Sequence, residues 1–375
     1  MKVLILSPLP PPVGGIASWT VNVLQHYKNQ DLIIIEHLNT AIKYRKITDT
    51  GFFSRLYSGC RGGVSLIFSL VNKLLTTKPD IIHFTSSGSL GLFRELVIVL
   101  ISKLFSVSVV VHYRFGRISE IEKLNNWEWK LLKVVTSLCN ATLVLDEESS
   151  VVLKANGFNF VYKIPNPISS EVESYLALNP LLKTNLPATK KKVIFVGHVV
   201  ASKGVEELVA ACSALSNIDE LIFIGPVEEV MQGSLSRNSL QSDFILTFTG
   251  ALNKENVLRG MSEATVLALP SYTEGFPNVI IEAMAMKCPV VATNVGAIPE
   301  MLDIGTENPS GIVVEPKDIE ALSGAISSII TDQSLANDLK HNAFIKVNEK
   351  YTLKSVCSEY ERVWHAILKS SNREE

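Results

Sequence analysis

The stretch VLALPSYTEGFPNVIIEAMAMKCPVVAT, residues 266–293, decides the fold. Its first apolar run, residues 266–269, predicts a buried strand. A polar loop follows, and we predict that a helix starts near Pro277 because proline is tolerated in the first helical turn. The apolar run at residues 290–292 predicts another strand. A strand, a helix and a strand in this order are typical of a parallel α/β sheet.

The same alternation continues on both sides of this stretch. Helices are predicted between the strands, among them residues 15–28, 61–77 and 89–105. The strands are nearly continuous in Val, Ile and Leu, as expected where a parallel sheet is covered on both faces. They are predicted at residues 3–7, 32–37, 81–85, 107–112 and 141–145, and then at residues 193–196, 220–224, 245–249, 266–269 and 290–292. We therefore predict an α/β protein with two doubly wound, Rossmann-like parallel-sheet domains facing a central cleft.

Prolines mark the boundary between these domains. Residues 165–192 contain four prolines and end in three consecutive lysines, which is typical of a connection. We predict an N-terminal domain at 1–168, a linker at 169–192 and a C-terminal domain at 193–350. Residues 352–369 have apolar side chains at helical spacing, and we expect this helix to pack back on the N-terminal domain.

Composition excludes several classes of protein. The chain has 375 residues, 47% of them hydrophobic, and a net charge of −2, which disfavours both disorder and a nucleic-acid partner. None of its five cysteines forms a CxxC pair, so free thiols are the expectation. The N-terminal apolar run is too short for a signal peptide. No apolar run in the sequence reaches the length of about 20 residues that a membrane helix needs. We expect a cytoplasmic protein.

Charge is divided unevenly along the chain. Residues 1–180 carry +5 and residues 181–375 carry −7. The most basic stretch is residues 42–63, and Arg45 and Lys46 are among its basic residues. Aromatic residues lie between the basic ones. This pattern suits an anionic acceptor or an anionic membrane surface, although a solvated loop and helix face gives the same pattern.

Glycines follow the first strand of each domain. Gly14 and Gly15 lie between a strand and a helix, where the backbone can approach a phosphate closely, although such a pair is also common in ordinary turns. In the second domain, Gly197 and His198 precede Lys203, which is either a phosphate-neutralising cation or a surface lysine. The dinucleotide fingerprint GxGxxG is absent, which argues against a nicotinamide-dependent dehydrogenase.

Two carboxylates flank the start of the helix near Pro277. Glu274 lies at its mouth, and Glu282 lies eight positions later on the helix. Carboxylates there can accept hydrogen bonds from ligand hydroxyls, and the helix amides can bind a diphosphate. Without other information, two such glutamates are also explained as solvated side chains.

Taken in order, these motifs resemble the retaining glycosyltransferases of family 4, which have the GT-B architecture. The Glu-x7-Glu pair, Glu274 and Glu282, is the most specific part of the resemblance. Further matching positions extend over nearly the whole chain: Gly14, Gly15, His112, residues 164–167, Gly197, Lys203, Gly204, Gly250, residues 289–300 and residues 311–318.

The resemblance implies a role for each matching residue in binding a nucleotide-diphosphate sugar. Glu282 would hold the ribose hydroxyls, Glu274 the hydroxyls of the donor sugar, and Lys203 the diphosphate. His112 would face the sugar near the reacting carbon, and Gly15 would approach the diphosphate from the other domain. The backbone donors would be Gly275, Phe276, Asn278 and Val279, because Pro277 has no amide hydrogen. Gly14, Gly197, His198 and Gly250 complete the implied donor site, and His112, Glu274 and Lys203 are the implied catalytic set.

His198 departs from the family, which usually has Arg at this position. Arginine is always charged and bidentate, whereas histidine is neutral over much of the physiological range. We hypothesise that Lys203 is the main diphosphate cation, that His198 assists it when protonated or bound, and that Arg114 or Arg117 compensates. Alternatively, His198 is a tolerated substitution that has no consequence for donor binding.

The implied reaction is glycosyl transfer with retained configuration and without a metal or other cofactor, since no DxD pair lies in a suitable loop. A UDP-sugar is the favoured donor and a GDP-sugar the next. The expected acceptor is a glycan or lipid-linked glycan in bacterial O-antigen, capsule or exopolysaccharide synthesis, at the inner face of the cytoplasmic membrane. The alternatives are a transferase making a soluble glycoside or disaccharide, and a non-catalytic nucleotide-sugar-binding subunit.

Overall fold

The computed structural model describes residues 1–11, 14–41, 52–179 and 190–371, and for residues 52–62 and 371 it describes the backbone alone. The chain divides into two compact units. The first consists of Met1–Pro165 and Leu353–Glu375, and the second of Asn166–Thr352. The predicted acceptor candidates Arg45 and Lys46, like all of residues 42–51 of the basic stretch 42–63, lie outside the described residues.

The first unit contains a six-stranded parallel sheet. Its strands are β1 (Lys2–Ser7), β2 (Ile34–Asn39), β3 (Ile81–Ser86), β4 (Ser108–Tyr113), β5 (Ala141–Val144) and β6 (Val161–Lys163). They run in the order β2-β1-β3-β4-β5-β6, and every neighbouring pair is parallel. The helices between them are α1 (Gly15–Tyr27), α2 (Phe52–Thr76), α3 (Gly91–Leu104), α4 (Ile118–Leu124), α5 (Trp127–Leu138) and α6 (Glu147–Ala155).

Both faces of this first sheet are buried, as its apolar strands predict. Along β1, Leu4 and Leu6 enter the core on one face, whereas Val3 and Ile5 enter the core on the other. This alternation follows from the two-residue period of a strand.

The second unit contains another six-stranded parallel sheet. Its strands are β7 (Lys192–Val196), β8 (Glu220–Ile224), β9 (Ile245–Gly250), β10 (Val266–Leu269), β11 (Val290–Thr293) and β12 (Ile312–Val314). The order is β12-β11-β10-β7-β8-β9, again with parallel neighbours. The helices are α7 (Ser170–Leu178), α8 (Val205–Ser213), α9 (Glu229–Asn238), α10 (Lys254–Glu263), α11 (Asn278–Ala285), α12 (Ile298–Met301), α13 (Ile319–Thr331) and α14 (Gln333–Lys346). The strand order reverses between β7 and β10, and ligands of doubly wound sheets bind at such a reversal.

The last helix, α15 (Leu353–Ser371), returns to the first unit. Its apolar stripe is buried in the same core as Val3 and Ile5, and it includes Tyr360 and Trp364. Trp19 of α1 donates a hydrogen bond from Nε1 to the Tyr360 hydroxyl at 3.0 Å, so α1 and α15 are joined by a buried polar contact.

The α/β architecture and the ten predicted strands are confirmed, with shifts of one or two residues at some strand ends. Three details differ. The short strands β6 and β12 were not predicted, and α2 begins at Phe52 rather than near residue 61. The predicted linker, residues 169–192, starts with helix α7, whose Val172 is fully buried in the core of the second unit. Val172 and its neighbours give α7 an apolar contact, which is why this segment folds instead of connecting freely.

Candidate functional site

The strand reversal in the second unit brings together two of the predicted site residues. Lys203 ends a 3₁₀ turn, Ala201–Lys203, in the loop after β7, and Glu274 lies in the loop after β10. Because β7 and β10 are neighbours in the sheet, their carboxyl ends lie side by side. The Lys203 ammonium is 2.6 Å from Glu274 Oε1. Both side chains are mostly covered, with 29% and 13% of their surfaces exposed.

The loop that carries Glu274 is fixed against the 3₁₀ turn. Tyr272 donates its backbone N–H to the Ser202 carbonyl at 2.9 Å. Gly204 adopts a φ of +67°, and a Cβ at this position would lie 2.0 Å from the Pro270 carbonyl oxygen. Only glycine fits such a close approach. The Ser271 hydroxyl donates to Glu274 Oε1 at 2.8 Å, so the carboxylate is oriented by both elements.

A second support comes from the loop after β11. Ala297 donates its N–H to the Gly275 carbonyl at 3.0 Å. Gly296 has a φ of +55°, and a Cβ there would lie 2.2 Å from the Glu274 carbonyl oxygen. Thr293 Oγ1 donates to the Ser271 carbonyl at 2.5 Å. The Glu274 loop is therefore held from both sides before any ligand binds.

Helix α11 begins directly after this loop. Pro277 is its N-cap, and Asn278 is its first residue. The first amides of a helix have no partner within the helix, and Asn278 and Val279 supply the first amides of α11. The Asn278 side chain accepts a hydrogen bond from Asn166 at 2.8 Å, and the Phe276 ring packs edge-on against Tyr351. These contacts fix the start of α11.

Glu282 lies one turn further along α11, and its side chain is only 14% exposed. It forms an ion pair with Lys254, the first residue of α10. Burial raises the pKa of the Glu282 carboxyl, and the neighbouring Lys254 ammonium counteracts this increase. Sequence reasoning missed Lys254. The signal that could have identified it is a lysine at the first position of a helix, where a basic residue opposes the helix dipole.

Other predicted donor residues of the second unit lie at the same sheet edge. His198 is exposed in the loop after β7. Gly197 donates its N–H to the Ile224 carbonyl at 3.0 Å. Gly250 ends β9 with a φ of +67°, and its carbonyl accepts the Gly225 N–H at 2.9 Å. Their contact with a donor stays a prediction.

In the first unit, the predicted residue His112 is fully buried at the end of β4. Its ring packs against Trp19, His83 and Tyr360. Burial, with the charge of Arg114 next in importance, holds the pKa of His112 well below its usual value, so this imidazole is neutral. The structure therefore encloses the ring instead of presenting it on a surface, and its role toward the donor sugar stays a prediction.

The two arginines proposed to compensate for His198 have partners within the first unit. Arg114 lies 4.7 Å above the Trp19 ring, and its Nη1 is 3.4 Å from His112 Nε2. Arg117 binds the Glu128 carboxylate at 2.6 Å and the Ser89 hydroxyl at 2.8 Å. Gly14 and Gly15 are exposed at the start of α1, with Gly14 as the N-cap.

Within the described part of the chain, no group of three or more His, Cys, Asp or Glu side chains is placed to hold a metal ion. Within the same residues, no helix has both the length and the apolar character needed to cross a membrane.

Known proteins match the segment that carries this site. Residues 182–346 match the family model described as glycosyl transferases group 1. The capsular polysaccharide biosynthesis glycosyltransferase CapM of Staphylococcus aureus is 29% identical over 47% of this chain and 46% of its own length. The chain thus spans about half the length of this curated relative.

Two further relatives match more of the chain. A GDP-mannose-dependent alpha-mannosyltransferase of Corynebacterium glutamicum is 25% identical over 97% of this chain and 88% of its own length. A 2-deoxystreptamine N-acetyl-D-glucosaminyltransferase of Niallia circulans is 26% identical over 75% of this chain and 75% of its own length.

Solved structures match the fold over nearly the whole chain. Sucrose-phosphate synthase of Thermosynechococcus elongatus has a TM-score of 0.73 at 17% identity, covering 98% of this chain and 99% of that one. HepE of Anabaena, solved with UDP, has a TM-score of 0.70 at 16% identity, covering 98% of this chain and 100% of that one. These likenesses establish the predicted GT-B fold.

Proposed function

We propose that this chain, whose residues 182–346 match the family model of the group 1 glycosyl transferases, transfers a sugar from a nucleotide-diphosphate sugar to a glycan acceptor in bacterial polysaccharide synthesis. One observation carries the proposal. Glu274, Lys203 and Glu282 lie at the strand reversal of the second unit, around the start of α11. Lys203 and the α11 amides would bind the diphosphate, and Glu282 would accept hydrogen bonds from the ribose hydroxyls.

A UDP-sugar is the proposed donor. The Anabaena protein with this fold was solved with UDP and with UDP-glucose. A GDP-sugar is the second choice, because the Corynebacterium relative, which this chain matches over 97% of its length, is described as GDP-mannose-dependent. Glu282 would bind the ribose and not the base, so it does not discriminate between these donors.

The proposed chemistry is transfer with retention of the anomeric configuration. Negative charge develops on the departing diphosphate, and Lys203 and the α11 amides would stabilise it without a metal ion. In a same-face substitution the acceptor hydroxyl attacks the anomeric carbon while the bond to the diphosphate breaks. The departing phosphate oxygen takes the acceptor's proton, so a separate protein base is not required. Activity that persists at full rate with excess EDTA would support the metal-independent part, and loss of activity would contradict it.

A lipid-linked glycan is the proposed acceptor. The relative CapM is named for capsular polysaccharide biosynthesis, which supports a glycan as the acceptor. A soluble acceptor is the second candidate, because the Niallia relative is named for transfer to 2-deoxystreptamine. Comparing turnover of a lipid-linked acceptor with that of a soluble fluorescent glycoside separates the two candidates.

We also propose that the first unit binds the inner face of the cytoplasmic membrane. Helix α3 exposes an apolar stripe at helical spacing, Phe93, Val97, Leu100 and Leu104, of which Leu104 is 84% exposed. Lys103 is exposed beside it, and Phe93 stacks on the exposed Trp127 of the adjacent helix α5. Apolar side chains beside lysines suit an anionic lipid surface. Cosedimentation with anionic but not with neutral vesicles would support this, and equal pelleting with both would contradict it.

The primary test is a thermal-shift screen against UDP, GDP, ADP, CMP and dTDP without metal. A ligand that binds only the folded protein raises the melting temperature by mass action. We expect one nucleotide class to stabilise the wild type and to lose its effect in Glu282→Gln. Folded protein that no nucleotide stabilises would contradict the transferase function and favour a non-catalytic one.

A further inference from the structure

Lys254 occupies a position that local helix preferences disfavour. It is the first residue of α10, which is capped by Asn253 through a 2.9 Å hydrogen bond from the Asn256 N–H. The amino end of a helix carries partial positive charge, so a lysine there is repelled and an acidic residue would be stabilising. A residue that breaks a local rule points to a requirement outside its own helix.

That requirement is the charge on Glu282. Lys254 binds Glu282 Oε1 from 28 positions away in the sequence, and the pair is largely covered, with 29% and 14% of the two side chains exposed. A charged carboxylate in such a place is costly unless a cation accompanies it. Burial raises the pKa of Glu282, and Glu171 of α7 raises it further, whereas Lys254 lowers it. Of the charged groups in the described part of the chain that act on Glu282, Lys254 is thus the one that favours ionisation.

We propose that Lys254 is a positioning residue of the nucleotide site, which keeps Glu282 ionised and holds its Oε1 so that the remaining acceptor positions face the ribose hydroxyls. The inference rests on the proposed function, in which Glu282 binds the ribose. An ionised carboxylate accepts about four hydrogen bonds, and Lys254 uses one of them. A protonated Glu282 would have one oxygen that donates, and it would bind a diol less well.

The test compares Lys254→Met and Lys254→Arg with the wild type. Lys192→Met is the matched control, because Lys192 forms an ion pair with Glu263 in the same unit at 3.2 Å. Calorimetry gives the affinity for UDP and for its 2′-deoxy analogue over a window from about pH 6 to pH 8.5, because removing the cation beside a buried carboxyl raises the pKa of that carboxyl further.

We expect Lys254→Met to bind UDP roughly tenfold more weakly at the acidic end of this window, equivalent to the loss of one charged hydrogen bond. The affinity should recover as the pH rises, because Glu282 then ionises without help. Removing the 2′-hydroxyl should cost less affinity in Lys254→Met than in the wild type, since the two changes act on the same carboxylate. Lys254→Arg and Lys192→Met should bind as the wild type does. Equal UDP affinity and equal pH dependence in Lys254→Met and wild type would overturn the inference.

A second measurement separates this inference from the proposed function. Carbon-13 NMR of glutamate-labelled protein follows the ionisation of Glu282, with Glu282→Gln identifying its signal. We expect the titration of Glu282 to move to higher pH in Lys254→Met, whether or not any nucleotide binds. An unchanged titration would overturn the role of Lys254. A shifted titration in a protein that binds no nucleotide would support the ion-pair role and would contradict the proposed function instead.

Discussion

The Lys203 ammonium lies 2.6 Å from Glu274 Oε1, and the same oxygen accepts the Ser271 hydroxyl at 2.8 Å. Lys203 and Glu274 are 71 positions apart in the sequence. They meet because β7 and β10 are neighbours at the strand reversal, so the loops that follow these strands share one edge of the sheet. The cation and the carboxylate that the proposed donor requires are thus held in place by each other, which limits the reorganisation that binding would need.

Replacing Lys203 by methionine should weaken donor binding because the diphosphate would lose its main cation. A charged hydrogen bond contributes about 1.5–3 kcal/mol, which corresponds to roughly a tenfold to hundredfold loss of affinity. Calorimetry with the nucleotide identified by the thermal-shift screen measures this. Lys192→Met, which removes a lysine from another ion pair of the same unit, should leave the affinity unchanged. Equal affinities in Lys203→Met and Lys192→Met would exclude Lys203 from the diphosphate site.

Replacing His198 by arginine tests the departure from the family pattern. His198 is exposed in the loop after β7, so a longer side chain meets no steric obstacle in the core. If Lys203 is the main cation and His198 merely assists, the arginine adds a permanent charge, and donor affinity should rise by up to about tenfold. Affinity and turnover are measured together. A clear loss of either would show that the histidine has a role of its own.

Local sequence patterns predicted the elements of this fold well because most strands are buried on both faces. The run 266–269 and the proline at 277 located β10 and α11 within one residue. Apolar runs did not predict β6 and β12, which have three residues each. So short a run does not distinguish a strand from a loop.

Contacts between residues far apart in the sequence could not be predicted in this way. Glu274 and Glu282 were identified by their motif, but the pairing of Glu282 with Lys254 depends on how α10 packs beside α11. The enclosure of His112 depends on Tyr360, which comes from the far end of the chain. A motif indicates which residue types the chemistry needs, whereas burial and ion pairing are set by tertiary packing.

Gly296→Ala should disable the site without touching a predicted ligand residue. A Cβ at Gly296 would lie 2.2 Å from the Glu274 carbonyl oxygen, and the φ of +55° adds strain for any L-residue. We expect loss of stability and at least a tenfold loss of nucleotide affinity, because the Glu274 loop must move. Gly305→Ala is the matched control, since its φ is +84° but nothing lies within 4 Å of the added Cβ.

Both variants carry the backbone strain, which costs about 1–2 kcal/mol per residue, and only Gly296→Ala carries the clash. Denaturant titration and calorimetry on the two proteins therefore separate strain from displacement of the loop. Equal nucleotide affinity in both would show that the loop after β11 does not hold Glu274 in place.

The buried histidines of the first unit should make its stability depend on pH. Burial, together with the charge of Arg114, lowers the pKa of His83 to about 3, whereas the unfolded chain has the ordinary value of 6.5. Between these values the unfolded state binds more protons than the folded state, so the free energy of unfolding falls as the pH decreases from 6.5 toward 3. One such histidine contributes a slope of up to about 1.4 kcal/mol per pH unit.

His83→Leu should lower this slope by the amount that corresponds to at most one bound proton. It should also lower the stability at neutral pH, because Nδ1 of His112 loses its 3.2 Å partner. His365→Gln, a change at an exposed histidine of α15, is the control and should leave the slope unchanged. Urea denaturation at several pH values between about 5 and 7.5, a range that spans the ordinary histidine pKa, gives the slopes of all three proteins. A His83→Leu slope equal to that of the wild type would mean that His83 already binds its proton in the folded state, and that its burial does not keep it neutral.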